Sequence, residues 1–464
     1  MLNRFITRIQ NYAVKHLKNG AARVYIKNTE ALQTAGFLKN TNIRITYLKN
    51  GIDIHVDQNG SNKVMDTGRG ELVELKNKDT GKALANTAKV SVTFRKGVLR
   101  IRVHGLDAAQ QSRVSRVINT LKQGKPLRTA CFFSGLGMLS YHVKEGLKRA
   151  GVATEITFAN DVDELAMSCN LEGNPMWLNA SEDALAVTDS LDALHLYDLP
   201  QVDVATIGYP CVGQSILADK EKRDLMHPLV GTLFMPLFTA LRKMNPAIIV
   251  IENTPRFAAS QTLDLLMRAL PDYQFEQRVM DGHDYNEIES RKRVAIVATT
   301  KGLPALKLDN VPSLFNDAPV RTLRDIQDDI PLDAPCWREM QHVKARDNMA
   351  HLGYRNALYF GDETTMTTLP ASYGPPKAGV PMFAHPVNDK LQRQVMPNEH
   401  AVLRELPDSL KKCIDDVWNG IHALVSKRGS FSAAHRLCGN GVSKRIWQSV
   451  GASLGQQMKA WRYA

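Results

Sequence analysis

Between residues 42 and 56 apolar and polar side chains alternate with the period of a strand. Ile43, Ile45 and Tyr47 fall on one face, Arg44 and Thr46 on the other, and after Lys49-Asn50-Gly51 the apolar set resumes at Ile52, Ile54 and Val56. Alternation on both sides of an Asn-Gly pair predicts a hairpin closed by a type I′ turn. Residues 89–103 repeat the scheme: Val90, Val92 and Phe94 run into Arg95-Lys96-Gly97, followed by Leu99, Ile101 and Val103. Arg95, Lys96, Arg100 and Arg102 then lie at the turn and on the outer face, where a phosphate backbone could meet them. From Asp107 the period changes. Val114, Val117, Ile118 and Leu121 predict a helix closed by Gly124 and Pro126, with Lys122–Arg128 as a linker.

From Thr129 to about residue 300, short apolar runs alternate with helical stretches. Six strands are predicted: Thr129–Phe133, Ile156–Ala159, Val202–Ile207, Ile248–Ile251, Phe275–Val279 and Val294–Ala298. Strands spaced by helices imply a doubly wound parallel α/β sheet. Such sheets bind ligands at the carboxyl ends of their strands, so the residues after each strand matter most.

Composition narrows the class. The 464 residues are 44% hydrophobic and 23% charged, which excludes disordered, collagen-like and membrane chains. No apolar run approaches the ~20 residues of a membrane helix; Ala247–Ile251 is strand-sized. The N-terminus has no apolar core beside a cleavage site, so no secretion is expected. Six cysteines without a CxxC pair make neither a disulfide framework nor a zinc site, so a metal-free protein of the reducing cytoplasm is expected. Charge is divided unevenly. Residues 1–128 hold 24 Lys+Arg and 8 Asp+Glu, a balance of +16, whereas 129–464 hold 35 and 39, a balance of −4. A positive field confined to one quarter favours a polyanionic partner, most often nucleic acid, over a merely solvated surface.

The segments after the strands carry candidate chemistry. Phe132-Phe133-Ser134-Gly135-Leu136-Gly137 can bring backbone close to a ligand, as many tight turns can. In Asn160-Asp161-Val162-Asp163 an acid could accept bonds from a ribose diol or cap the helix predicted over Glu164–Asn170. Cys211, in Gly208-Tyr209-Pro210-Cys211, suits a nucleophile, although a cysteine is more often plain core. Glu252, in Glu252-Asn253-Thr254-Pro255, ends an apolar strand and should be partly desolvated, as suits a proton donor. Arg291 and Arg293, in Glu289-Ser290-Arg291-Lys292-Arg293, project to one side of a strand entry as paired donors.

Taken in order, these pieces resemble the DNA cytosine-5 methyltransferases. The family's cofactor motif is similar to Phe133-Ser134-Gly135-Leu136-Gly137, its nucleophile loop to Pro210-Cys211, its Glu-Asn-Val to Glu252-Asn253-Thr254, and its Gln-x-Arg-x-Arg to Glu289–Arg293. Leu369–Gly374 resembles the segment that ends its target-recognition region. Met396-Pro397-Asn398-Glu399 to Leu406-Pro407-Asp408 resembles its Leu-Thr-Pro-x-Glu…Phe-Pro-Asp, and Gly439-Asn440-Gly441-Val442 its last motif, Gly-Asn-x-Val.

The resemblance implies a Rossmann-like methyltransferase sheet with a small target-recognition lobe and a basic β-rich N-terminal domain. The expected divisions are 1–126, 127–301, 302–392 and a C-terminal segment 393–464. It implies methyl transfer from S-adenosyl-L-methionine, leaving S-adenosyl-L-homocysteine, to C5 of a flipped-out cytosine in double-stranded DNA. Cys211 would add to C6, Glu252 would act at N3, and Arg291 and Arg293 would hold O2 and nearby backbone. Phe133, Gly135, Gly137, Asp161, Asn440 and Val442 would hold the cofactor. For the adenine, the family uses an acid after the third strand; Asp183 is the nearest, and Ser181 aligns about as well. A cognate restriction endonuclease is a candidate partner, which the sequence does not itself supply.

The chain departs from the family at four places. Met138 replaces a glycine and should narrow the cofactor pocket, Val212-Gly213-Gln214-Ser215 replaces Gln-x-Phe-Ser, Glu289 replaces Gln, and Lys444 replaces a proline. The recognition region is short, since Arg321–Ile326 and Thr368–Gly374 resemble its framing segments; part of the DNA affinity is therefore expected in the N-terminal domain. Two other readings use the same motifs: a tRNA cytosine-5 methyltransferase, and an inactive DNA-binding regulator on the same fold.

Overall fold

The computed structural model describes residues 6–85, 87–214, 220–344 and 357–463. The chain divides into two units, 1–112 and 113–464.

The first unit is built on a nine-stranded antiparallel sheet. Its spatial order is Asn62–Lys63, Asn42–Leu48, Gly51–Val56, Val98–Val103, Lys89–Arg95, Arg8–His16, Ala22–Ile26, Glu71–Asn77 and Met65–Asp66. Both hairpins read from the alternation form. In the first, Leu48 pairs with Gly51, so the loop is Lys49-Asn50 rather than Asn50-Gly51. Only Asn50 takes a positive φ (61°), which excludes the expected type I′ turn, because that turn needs both loop residues there. Gly51 serves packing instead: a Cβ on it would lie 2.9 Å from the Ile101 carbonyl oxygen. In the second hairpin Arg95 pairs with Val98 around Lys96-Gly97.

The helix Gly105–Lys122 crosses the division, which falls at 112/113 rather than at the expected 126/127. Its arginines explain the shift. Arg113 is fully buried and donates to Asp272 (2.7 Å), Asn245 (3.0 Å) and Thr300 (2.6 Å), and Arg116 pairs with Asp203 at 2.8 Å. Charged residues that looked solvated thus tie this half of the helix to the larger unit.

That unit is organised around a seven-stranded sheet. The order is Ala180–Thr188, Thr154–Asp161, Leu127–Phe132, Val204–Gly208, Ile248–Asn253, Lys292–Thr300 and Tyr273–Asp281. All six expected strands occur, with ends shifted by a few residues. The sheet is mixed, however, not wholly parallel: Lys292–Thr300 runs antiparallel to both of its neighbours. The edge strand Ala180–Thr188 was not foreseen, because Ser181-Glu182-Asp183 breaks the apolar signal and an edge needs little burial. Alternate strand residues feed two cores. Val250, Ala295 and Val297 pack with the helices Met138–Arg149 and Lys444–Met458, whereas Ile249, Ile251 and Ile296 pack with Phe234–Met244 and Gln261–Ala269. The C-terminal helix Lys444–Met458 lies almost backbone to backbone on Met138–Arg149, since a Cβ on Gly146 would overlap the Gln448 carbonyl and one on Gly451 the Val143 carbonyl.

Leu303, Leu306, Leu308 and Val311, expected in the recognition lobe, pack in the main core, whereas the described residues 323–344 and 357–395 form a small lobe within this unit. Its four short strands, Arg338–Glu339, Leu391–Gln394, Met382–Ala384 and Leu358–Tyr359, make one sheet. The two framing segments meet in its core, where Leu323 and Ile326 pack with Leu369 and Tyr373. Among the described residues no helix is long and apolar enough to cross a membrane.

Candidate active site

The turn after Leu127–Phe132 is tightly wound. Phe133, Gly135 and Gly137 all take positive φ, at 51°, 51° and 75°. The Gly135 N–H donates to one oxygen of Asp161 at 2.6 Å, and the Asp163 N–H donates to the other at 2.9 Å. Burial raises the Asp161 pKa, and the bonds from the Gly135 and Val162 N–H groups pull it back. Helix capping falls to Asp163, whose side chain accepts from the Ala166 N–H. A Cβ on Gly135 would meet nothing within 4 Å, so backbone there borders open space. On Gly137 it would strike the amides of Asn174 (2.5 Å) and Asn170 (2.7 Å).

Those two amides are positioning residues that sequence reasoning missed. Asn170 donates to Gly135 O (2.9 Å) and Asn174 to Leu136 O (2.6 Å), fixing the turn from behind. Their spacing of four residues after a cap would have placed both on one helix face. Met138 does not narrow this space: it is 2% exposed and packs in the core with Leu136 and Leu139.

The last motif returns beside this turn. Arg436, on the helix Phe431–Asn440, pairs with Asp163. Asn440 ends that helix exposed, while the Val442 side chain is buried in the core. Asp183 is the residue the structure does not bring here. It sits in mid-strand, mostly exposed, paired with Arg128 (2.6 Å) near the amino end of Leu127–Phe132. The acid that follows the third strand is Asp189, whose carboxylate accepts from the Tyr197 hydroxyl at 2.9 Å. It was overlooked because the strand itself was.

The Pro210-Cys211 loop, the expected nucleophile loop, leaves the neighbouring strand Val204–Gly208. Gly208 is in register with Glu252, and the Asn253 amide donates to Tyr209 O at 3.0 Å, so Asn253 pins Tyr209-Pro210-Cys211. Cys211 is exposed, and the Phe133 and Tyr209 rings meet edge to face with centroids 5.4 Å apart, joining this loop to the glycine turn. Glu252 pairs with Arg293 at 2.8 Å. The reversed strand makes that possible. Its first residues lie at the carboxyl ends of its neighbours, with Val294 opposite Asn253. Ser215 lies outside the described residues.

Arg291 is buried close enough to the other three to feel the charges of Arg293, Glu252 and Cys211. It is 4% exposed, and its guanidinium donates to the carbonyls of Gly439 and Gly441, both at 3.0 Å. Burial pushes its pKa down to about 9, helped by the Arg293 charge and opposed by Glu252 and Cys211. Of the two roles expected for the Arg291 and Arg293 pair, holding O2 and holding nearby backbone, Arg291 makes backbone contacts here. Glu289 is also buried, where it pairs with Arg404 and accepts from the Leu369 N–H at 2.9 Å.

A glycine turn, an acid after the second strand and a single reversed strand beside the nucleophile loop define a methyltransferase of the Rossmann-like class. Residues 127–454 match the C-5 cytosine-specific DNA methylase family; the chain belongs to it and is a DNA cytosine-5 methyltransferase. The type II methyltransferase M.Sau96I of Staphylococcus aureus is 23% identical over 370 residues, covering 73% of this chain and 77% of that one. M.Eco47II of Escherichia coli is 27% identical over 199 residues, 42% of this chain and 44% of its own length. The S. pombe Dnmt2 methyltransferase structure superposes with a TM-score of 0.53 at 18% identity, over 71% of this chain and 98% of that one, which supports the fold.

Proposed function

We propose that Cys211, Glu252 and Arg293 methylate a cytosine flipped out of duplex DNA. Cytosine C5 is a weak nucleophile, and addition of the Cys211 thiolate to C6 makes it enamine-like. Glu252 donates to N3 as the thiolate adds, and Arg293 holds O2, so negative charge developing on the ring meets fixed partners. A base or water then removes the C5 proton, and Cys211 leaves as the C5–C6 double bond re-forms. Inside a duplex C6 is inaccessible, so the base must be extruded. S-Adenosylmethionine supplies the methyl group when bound. The open backbone at Gly135 and the carboxylate of Asp161 fit its methionine and ribose, and Phe133, Gly137, Asn440 and Asp189 complete the site, with Val442 supporting it from the core.

The carrying observation is the convergence of an exposed cysteine with the Glu252–Arg293 pair at 2.8 Å on the carboxyl edge of the sheet. A cognate restriction endonuclease as partner is part of the proposal, prompted by relatives named type II methyltransferases. The first unit, with its excess of cations, is assigned part of the DNA affinity.

Transfer of labelled methyl to unmethylated duplex DNA, with Cys211→Ala alongside, tests the mechanism. Label in 5-methylcytosine that vanishes in the variant is expected. Transfer to tRNA but not to DNA would refute the substrate, and transfer surviving Cys211→Ala would refute the nucleophile.

A further inference from the structure

The cations of the first unit are not spread evenly. The two hairpins 42–56 and 89–103 hold seven Lys+Arg and one acid, Asp53, while the rest of 1–112 holds 12 and seven. The structure sets these hairpins side by side in the sheet, with Gly51–Val56 paired to Val98–Val103. Their apolar sets all turn inward: Ile43, Ile52, Ile54, Val92, Phe94 and Ile101 are at most 2% exposed. The other set therefore shares one outer face.

Register fixes how that face is laid out. One row runs Arg44, His55, Val98, Arg95 across four strands, and the next runs Thr46, Asp53, Arg100, Thr93. Arg102 follows in the third row and donates to Asp53 at 2.6 Å, while Arg44 pairs with Asp57. Arg95, Lys96 and Arg100 form no salt bridge among the described residues, and all three lie at the surface. Thr46 and Thr93 stand between the cations as neutral hydroxyl groups, while the Ser91 hydroxyl donates to Asn11.

We propose that this outer face binds the phosphate backbone of double-stranded DNA, with Arg95 and Arg100 as its principal contacts. The inference rests on the DNA reading above and names the surface that carries the affinity. Two features select a duplex. Proteins that hold single strands stack bases on aromatic side chains. Within the two hairpins the aromatic side chains Tyr47 and Phe94 belong to the inward set, leaving the imidazole of His55 outside; the exposed Tyr25 lies two strands beyond them. Arg44 and Arg95 are three strands apart, about 14 Å at the usual strand spacing. That is close to the ~12 Å width of the major groove, so the two edges can meet the phosphate rows on either side of it.

The test compares full-length protein with a double variant, Arg95→Ala and Arg100→Ala, binding a mixed-sequence duplex at several salt concentrations. Lys78→Ala with Lys82→Ala, on the exposed helix Lys78–Ala83 of the same unit, is the control for lost charge. Each phosphate contact contributes about 0.9 to the slope of log affinity against log salt, so the first variant should lose about 2 in slope. Its fall in affinity between about 50 and about 200 mM salt should be roughly tenfold smaller than that of wild type. The control should keep the wild-type slope. Equal loss in both variants, or none in the first, overturns the proposal. Loss of single-stranded RNA binding with duplex binding intact overturns it too. Wild-type protein that neither binds nor methylates duplex DNA would instead refute the reading on which the proposal rests.

Discussion

Glu289 stands where the family carries glutamine, and restoring that glutamine should harm this protein. The carboxylate is buried with one oxygen on Arg404 and the other accepting the Leu369 N–H. Arg404 is itself 3% exposed and donates to Leu369 O (3.1 Å) and Cys438 O (3.2 Å), and burial pushes its pKa down to about 10. Glu289→Gln keeps the shape but strands the Arg404 charge. Removing one partner of a buried pair costs about 3–5 kcal/mol, and about 3 is expected here because the amide oxygen can still accept. All five tryptophans, from Trp177 to Trp461, lie beyond residue 112, so their fluorescence follows unfolding of the larger unit alone. With a urea slope of about 3 kcal/mol per M, the midpoint should fall by about 1 M. Adding Arg404→Gln removes the stranded charge while leaving partners for Leu369, and should recover more than half of the loss. A midpoint within about 0.3 M of wild type for the single variant would refute the reasoning.

Three further outcomes are expected. Asp161→Ala and Asp189→Ala should each raise the cofactor KM by about tenfold, the loss of about 1.4 kcal/mol of binding, while Asp183→Ala should leave it unchanged; equal effects at 183 and 189 would return the adenine contact to mid-strand. Asp224 supports the first turn of the helix Gln261–Ala269, whose N-cap is Ser260, by accepting from the Gln261 N–H (2.6 Å) and the Thr262 hydroxyl (2.5 Å), and it also accepts from Gln214 in the Pro210-Cys211 loop (3.1 Å). Asp224→Ala should therefore cost about 1 kcal/mol of stability and lower kcat at unchanged cofactor KM, whereas stability loss with normal kcat would deny it a hold on the loop. His142 is buried with neither ring nitrogen bonded among the described residues, and desolvation, with Lys444 nearby, pushes its pKa down to about 3. A base lowered on folding contributes stability that is complete above its unfolded pKa near 6.5 and lost as pH falls towards 3, at up to about 1.4 kcal/mol per pH unit. His142→Leu should flatten the loss of Tm between pH 6.5 and 4.5, and an unchanged slope would place the acid sensitivity elsewhere.

What could be read from the sequence follows from what burial does to composition. Central strands such as Ile248–Asn253 are apolar on both faces and announce themselves. The edge strand Ala180–Thr188 has few buried positions, left no such signal, and took the choice between Asp183 and Asp189 with it. Strand direction left none either: Val294–Ala298 is equally apolar whichever way it runs. Yet that reversal carries Arg293 to Glu252. Charged side chains were the hardest to place, because an arginine on a surface and one spanning a core are the same letter. Arg113, Arg291 and Arg404 all proved buried, and in each case the burial depends on carbonyls or carboxylates more than 30 residues away.

Those buried arginines also explain why the reacting groups can sit on loops and strand ends. Arg291 fastens the strand that bears Arg293 to Gly439 and Gly441 beside the cofactor turn. Arg404 fastens the adjoining Glu289 to Leu369 at the root of the recognition lobe and to Cys438 at the end of the same helix. Both ties run through one short segment, Glu289–Arg293, so displacing it would disturb the Glu252–Arg293 pair, the last motif and the lobe together. Apolar packing at these points could match the stability, since a buried ion pair gains little over well-packed side chains. It could not fix the angles as closely. Directed bonds hold a guanidinium to particular carbonyl oxygens, and the transfer needs the ring and the methyl group aligned to a fraction of an ångström.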